Sequence, residues 1–174
     1  MRTDATAVGG WNRVKSHANQ LRIRMPDENA KTVLIVEDNA IMADVLRRAL
    51  EHGGFRVQIT NNGLQALAAC EALDFDAAVT DYQMPTMDGL EFVLRLRNSQ
   101  RNSKIPLIFV SGKGLELDTE MLKRNYDVSH VMFKPFSPRE LIESLRKCLS
   151  QSSVASPLPE NAQGQPSMSS SLSR

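Results

Sequence analysis

Three carboxylates, one hydroxyl and one ammonium stand where apolar runs of this sequence end. Glu37 and Asp38 follow "TVLIV", Asp81 follows "AAVT", Ser111 follows "LIFV" and Lys134 follows "VMF". Acids gathered on one rim repel and raise one another's pKa unless a cation sits among them. Hard oxygen ligands with room for water suit Mg²⁺, and Lys134 supplies a further positive charge. A carboxylate so placed is a competent nucleophile towards phosphorus once the phosphoryl oxygens are neutralised by metal and lysine. Acyl phosphate formation on an aspartate is the reaction these parts suit. Singly, each residue has a plainer reading: Asp81 as a helix cap or loop acid, Ser111 as a routine strand-end hydroxyl, Lys134 as a surface lysine. The chemistry therefore depends on all five meeting at one place.

The elements that must bring them together are legible from periodicity. The runs at 32–38, 76–81, 106–111 and 130–133 are apolar almost throughout, as strands covered on both faces must be. The run at 55–60 alternates Phe55, Val57 and Ile59 with Arg56, Gln58 and Thr60, which places it at a sheet edge. Between the strands lie helix patterns. Ile41, Val45, Leu46, Ala49 and Leu50 form a stripe stopped by Gly53-Gly54. Asp88 can cap a helix carrying Leu90, Val93 and Leu94. "SPRE" at 137–140 combines a capping box with proline at the first helical position, ahead of Leu141, Leu145 and Leu149. Shorter helices are expected over 64–72 and 117–124. Alternating strands and helices imply right-handed crossovers and a five-stranded parallel sheet, an α/β doubly wound fold. In such sheets ligands bind outside the carboxyl ends of the strands.

Composition bounds the rest. Residues 31–150 carry this pattern as one domain. Residues 1–30 and the Ser/Pro/Gln-rich 151–174 bury too little apolar surface to offset the entropy of ordering and read as flexible tails. Lys and Arg number 21 against 20 Asp and Glu, which gives no electrostatic reason to expect nucleic acid or an anionic membrane as partner. No apolar run approaches the length of a membrane span, and Cys70 and Cys148 match no metal or disulfide spacing. A cytoplasmic protein is expected.

Four motifs in register, "VED" (36–38), "DYQMPTMDG" (81–89), "VSG" (110–112) and "FKPF" (133–136), resemble the receiver domain of two-component response regulators, as does "NNGLQAL" (61–67). The resemblance covers 31–150 and implies a flavodoxin-like fold of strand order 2-1-3-4-5. It implies that Asp81 accepts a phosphoryl group from a sensor histidine kinase or a histidine phosphotransfer protein. Mg²⁺ would be held by Asp38, Asp81 and the backbone carbonyl of Gln83, with Glu37 acting through a water. Ser111 and Lys134 would bind the phosphoryl oxygens. Met84, Pro85 and Gly89 would shape the loop after the nucleophile, and Pro135 would follow a cis bond. Phosphorylation would then repack the face made by the fourth helix, fifth strand and fifth helix, in a monomer or weak dimer signalling to an unidentified protein.

Three positions before Lys134 the family usually carries an aromatic switch residue, and here stands Val131. That departure sustains a second expectation, a receiver fold used as a phosphorylation-independent binding scaffold. The first is a stand-alone, non-enzymatic phosphoacceptor. A phosphatase of the haloacid dehalogenase type would need an acid two residues after the nucleophile, where Gln83 cannot give a proton.

Overall fold

The computed structural model describes residues 29–112 and 118–152. Most of the two expected tails, and Leu117 of the expected fourth helix, lie outside the described residues. Strands β1 (Thr32–Val36), β2 (Arg56–Thr60), β3 (Ala77–Asp81), β4 (Leu107–Ser111) and β5 (His130–Phe133) alternate with helices α1 (Ala40–His52), α2 (Gly63–Ala72), α3 (Gly89–Arg97), α4 (Thr119–Tyr126) and α5 (Pro138–Ser152). The strands form one parallel sheet in the order β2-β1-β3-β4-β5. This is the doubly wound, flavodoxin-like architecture expected, with the alternating run as edge strand β2.

Side chains alternate across a strand, so each central strand feeds two cores. Leu34, Val36, Ala78, Leu107 and Phe109 pack with Phe92, Val93 and Leu96 of α3 on one face. Val33, Ile35, Val79, Ile108 and Val110 pack with Leu46 and Leu50 of α1 and Leu141 and Leu145 of α5 on the other. β3 and β4 are buried from end to end. Each such side chain withdrawn from water contributes about 1.5–3 kcal/mol before entropy is counted.

The helices start where polar side chains satisfy free amides. Asn39, Asn62, Asp88 and Asp118 each accept from the first turn of α1, α2, α3 and α4. At α5 Ser137 N–H donates to Glu140 Oε2 at 2.6 Å and Glu140 N–H donates to Ser137 Oγ at 3.2 Å, closing the capping box. One helix face differs from expectation. α1 buries Ala43, Leu46 and Leu50, while Ile41 is 79% and Val45 47% exposed. The buried three lie at i, i+3 and i+7 on one side, so small Ala43 is buried where the larger Ile41 and Val45 are not. On α5, Cys148 is buried beside Leu141 and Leu145.

The loop from β3 to α3 is tightly built. A β-carbon on Gly89 would overlap the carbonyl oxygen of Asp81 and lie 2.7 Å from Phe109 Cε1. Close approach, rather than turn flexibility, explains glycine here. Thr86 in the same loop has φ +74°, an uncommon region for a β-branched residue. Gly89→Ala is therefore expected to cost about 3 kcal/mol or more in urea unfolding, whereas Thr86→Gly should gain about 0.5–1 kcal/mol.

Candidate functional site

Because all five strands run the same way, their carboxyl ends share one edge, and backbone pairing continues one residue past three of them. Glu37 N–H donates to Thr60 O at 3.1 Å, Tyr82 N–H to Val110 O at 2.8 Å, and Lys134 N–H to Ser111 O at 2.8 Å. These bonds hold the residues beside Asp38, Asp81 and Ser111 in strand register before any side chain interacts.

The side chains then converge. Glu37, Asp38 and Asp81 each offer a carboxylate oxygen, and these oxygens lie within 4.8 Å of one another. Lys134 Nζ stands between two of the acids, 2.7 Å from Asp81 Oδ2 and 3.2 Å from Glu37 Oε2. The other oxygen of each is held by a main-chain amide: Gln83 N–H donates to Asp81 Oδ1 and Asn39 N–H to Glu37 Oε1, both at 3.3 Å. Glu37 and Asp81 are only 3% and 9% exposed, while Asp38 faces solvent.

Burial pushes the Glu37 carboxyl above its ordinary range, an effect that Lys134 opposes and the charge of Asp81 reinforces. Burial also works against the Lys134 ammonium, yet its bonds and charge attraction to Asp81 and Glu37 outweigh this and raise its pKa. One ammonium thus serves two of the three clustered acids. The chemistry of this donor set, clustered hard oxygens with one carboxylate open to water, fits a divalent cation of the Mg²⁺ kind.

The remaining sequence-predicted residues are distributed as follows. Ser111 is fully buried at the end of β4. Met84 and Val131 are buried in the core on the α3 side of the sheet, with Val131 beside Leu122, Val128 and Phe109. Gln83, Pro85 and Pro135 are exposed, and the Lys134–Pro135 bond is cis. Sequence reading passed over three residues that support the acids. Asn39 caps α1 through Oδ1 while its N–H holds Glu37. Thr60 lends its carbonyl to Glu37 N–H, and the buried Thr80 hydroxyl donates to Asp81 O at 3.0 Å. Only Asn39 carried a readable signal, as a capping residue before an amphipathic run.

Comparison with known proteins follows the same lines. Residues 33–146 match the family model of the response regulator receiver domain. The chain is 32% identical over 130 residues to the alkaline phosphatase synthesis transcriptional regulatory protein PhoP of Bacillus subtilis, an alignment that takes in 75% of this chain and 53% of that protein. It spans about half the length of the curated relatives it matches. The receiver domain of the sensor histidine kinase PA1611 from Pseudomonas aeruginosa, solved with magnesium coordinated in its active site cleft, is 26% identical. Its TM-score is 0.64, and the match covers 70% of this chain and 98% of that one. A CheY-like receiver domain from Methanospirillum hungatei superposes with a TM-score of 0.67 at 26% identity, covering 73% and 99%. No helix among the described residues is long and apolar enough to cross a membrane.

The raised Glu37 pKa has a signed consequence. Between 4.5 and the raised value the folded state holds the proton more tightly than the unfolded chain, so stability falls as pH rises through that window. In metal-free protein Glu37→Gln should raise the urea midpoint at pH 7, and the gain should shrink as pH falls through that window and vanish below 4.5.

Proposed function

The chain belongs to the response regulator receiver family, and from that premise we propose that Asp81 is its phosphoacceptor, charged by a phosphohistidine on a sensor histidine kinase or histidine phosphotransfer protein. The observation that carries this reading is Lys134 Nζ, bonded at once to Asp81 and Glu37 beside Asp38. An acid kept at a site by one shared lysine is ready to exchange that partner for an incoming anion.

In this reading an Asp81 carboxylate oxygen attacks phosphorus, a P–O bond forms, the P–N bond breaks and the imidazole departs. Lys134 pairs with one phosphoryl oxygen and the Ser111 hydroxyl donates to another. Asp38, Asp81 and the Gln83 carbonyl would hold Mg²⁺, with Glu37 acting through a water. The metal would supply neutralisation of charge on the phosphoryl oxygens. The product adds roughly two negative charges and three acceptors at the rim, which biases the face formed by α4, β5 and α5 towards a second packing.

We read residues 31–150 as this signalling unit, acting in the cytoplasm as a monomer or weak dimer. Output by protein contact or onward phosphotransfer, rather than by nucleic acid binding, accords with the near balance of 21 basic and 20 acidic residues. Buried Val131, where the family usually has an aromatic, favours the second reading of a phosphorylation-independent scaffold.

Incubation with Mg²⁺ and acetyl phosphate or phosphoramidate, followed by intact mass, separates the two. One added phosphoryl group is expected, dependent on Mg²⁺ and absent in Asp81→Asn. Lys134→Met should slow its appearance by about a hundredfold, the scale of a lost charge-stabilising donor. An unchanged mass in the parent protein with Mg²⁺ bound would leave the scaffold reading.

A further inference from the structure

The apolar flank that α1 leaves open continues into a groove against α5. Val45, 47% exposed, lines it with Ala49 and Ile142, in a depression of about 880 Å³ between the two helices. The helices meet at Gly53, where an added β-carbon would lie 3.0 Å from Ile142 Cδ1 and where Arg146 Nη2 donates to Gly53 O at 3.0 Å. Above this junction the groove is flanked by Arg48 of α1 and Arg139 of α5, both exposed. Arg48 donates Nε to Asp44 at 2.7 Å and Arg139 donates Nε to Glu143 at 2.8 Å. Among the described residues each uses Nε alone, which leaves the terminal nitrogens of both guanidinium groups for another acceptor. An apolar floor between two such forks suits an occupant with an apolar side chain followed closely by an acid.

The chain itself supplies that pattern. It runs on from Ser152 at the end of α5 as "SVASPLPEN" (153–161). Glu160 is the only acid between 153 and 174, and Leu158 stands two residues before it, between Pro157 and Pro159. Pro-Leu-Pro favours the extended polyproline II form, so little chain entropy is lost when such a piece is laid on a surface already built. Ile142 and Arg139 lie ten and thirteen residues before Ser152, about 15 and 20 Å back along a helix that rises about 1.5 Å per residue. With two residues spent on reversing direction, an extended chain brings Leu158 about 13 Å and Glu160 about 20 Å back along the same path. Leu158 thus comes level with Ile142, and Glu160 with Arg139. A short tether keeps the effective concentration on the order of millimolar, so an intrinsic Kd of about a millimolar fills the groove about half of the time.

We propose that residues 154–160 dock in the groove between α1 and α5 of their own chain, antiparallel to α5, with Leu158 on Val45, Ala49 and Ile142 and Glu160 between Arg48 and Arg139. The docked segment straps α1 to α5 and covers the apolar flank that the sheet leaves open. This goes beyond the phosphoacceptor reading and does not depend on it.

Amide NMR of the 174-residue chain tests it in the parent protein, Leu158→Asp, Glu160→Arg, Arg139→Glu and the Glu160→Arg/Arg139→Glu pair, with a synthetic peptide of residues 153–161 as probe. None of these substitutions touches either core, and urea unfolding of each variant checks the fold. Leu158→Asp should shift resonances over 45–53 and 138–146 and leave the rest of the sheet and helices in place. Saturating peptide should carry those resonances about twice as far in Leu158→Asp as in the parent protein, whose groove is already about half filled. A peptide with aspartate in place of Leu158 should move none of them. Val45 and Ala49, remote in sequence from both charge reversals, should shift in each single variant and return at least half way in the pair. Unmoved resonances over 45–53 in Leu158→Asp overturn the docking. Shifts in the parent protein that fade on about tenfold dilution assign the groove to a neighbouring copy and overturn it as well. Intact mass after phosphoramidate reads the role of Asp81 separately, and neither result there alters these outcomes.

Discussion

Like charges held close are the constraint around which this molecule is arranged. Two unit charges 4.8 Å apart repel by about 3 kcal/mol at an effective dielectric of about 20, and three acids make three such pairs. Lys134 relieves the two deepest, and main-chain amides of Gln83 and Asn39 take the oxygens it does not reach. Every element serves that arrangement. The parallel sheet brings the strand ends to one edge, the ladder bonds past β1, β3 and β5 set the registers, and Gly89 lets α3 start directly against Asp81.

The opposite edge is built in the reverse sense, with side chains stitched to carbonyls. Asn102 Nδ2 donates to Cys70 O at 2.7 Å and Leu73 O at 2.8 Å while its Oδ1 accepts from Phe75 N–H at 2.8 Å. Arg101 reaches Glu71 O at 3.1 Å and pairs with Asp74, and Arg97 gathers four carbonyls. The half-buried Asn102 and Arg97 resist opening more than the exposed Arg101, because a bond left unmade away from water costs about 1–3 kcal/mol. A closed base and a charged rim give the two edges of the sheet opposite characters. Burial of both thiols, Cys70 to the point of a pKa of about 11, adds no reactive group to the other faces.

Much of the architecture could be read from residue order because its determinants are local. Alternation in Arg56–Thr60 exposed one edge strand, unbroken apolar runs exposed the central three together with the other edge strand β5, and Asp88 and Ser137 announced helix starts. The rim was legible for a different reason: once the strands are parallel, whatever follows them is neighbours. What escaped depended on partners far along the chain. Nothing in the sequence around Ile41 and Val45 shows that Ala43 is the residue of that turn of α1 to be buried. The need for glycine at 89 lies in the carbonyl of Asp81 and the ring of Phe109, and the work of Arg97 lies in carbonyls that have no sequence signature. Backbone acceptors are the same at every residue, so only geometry reveals which ones a side chain has claimed.

Lys134 and the Glu37 it holds are 97 residues apart. A chain emerging from the ribosome thus presents both members of the acid pair, and the strands that position them, well before the ammonium that makes them compatible. Until β5 docks, the half-made rim is electrostatically self-opposed. Arrival of the last strand then completes the sheet and supplies the balancing charge of its rim in one event.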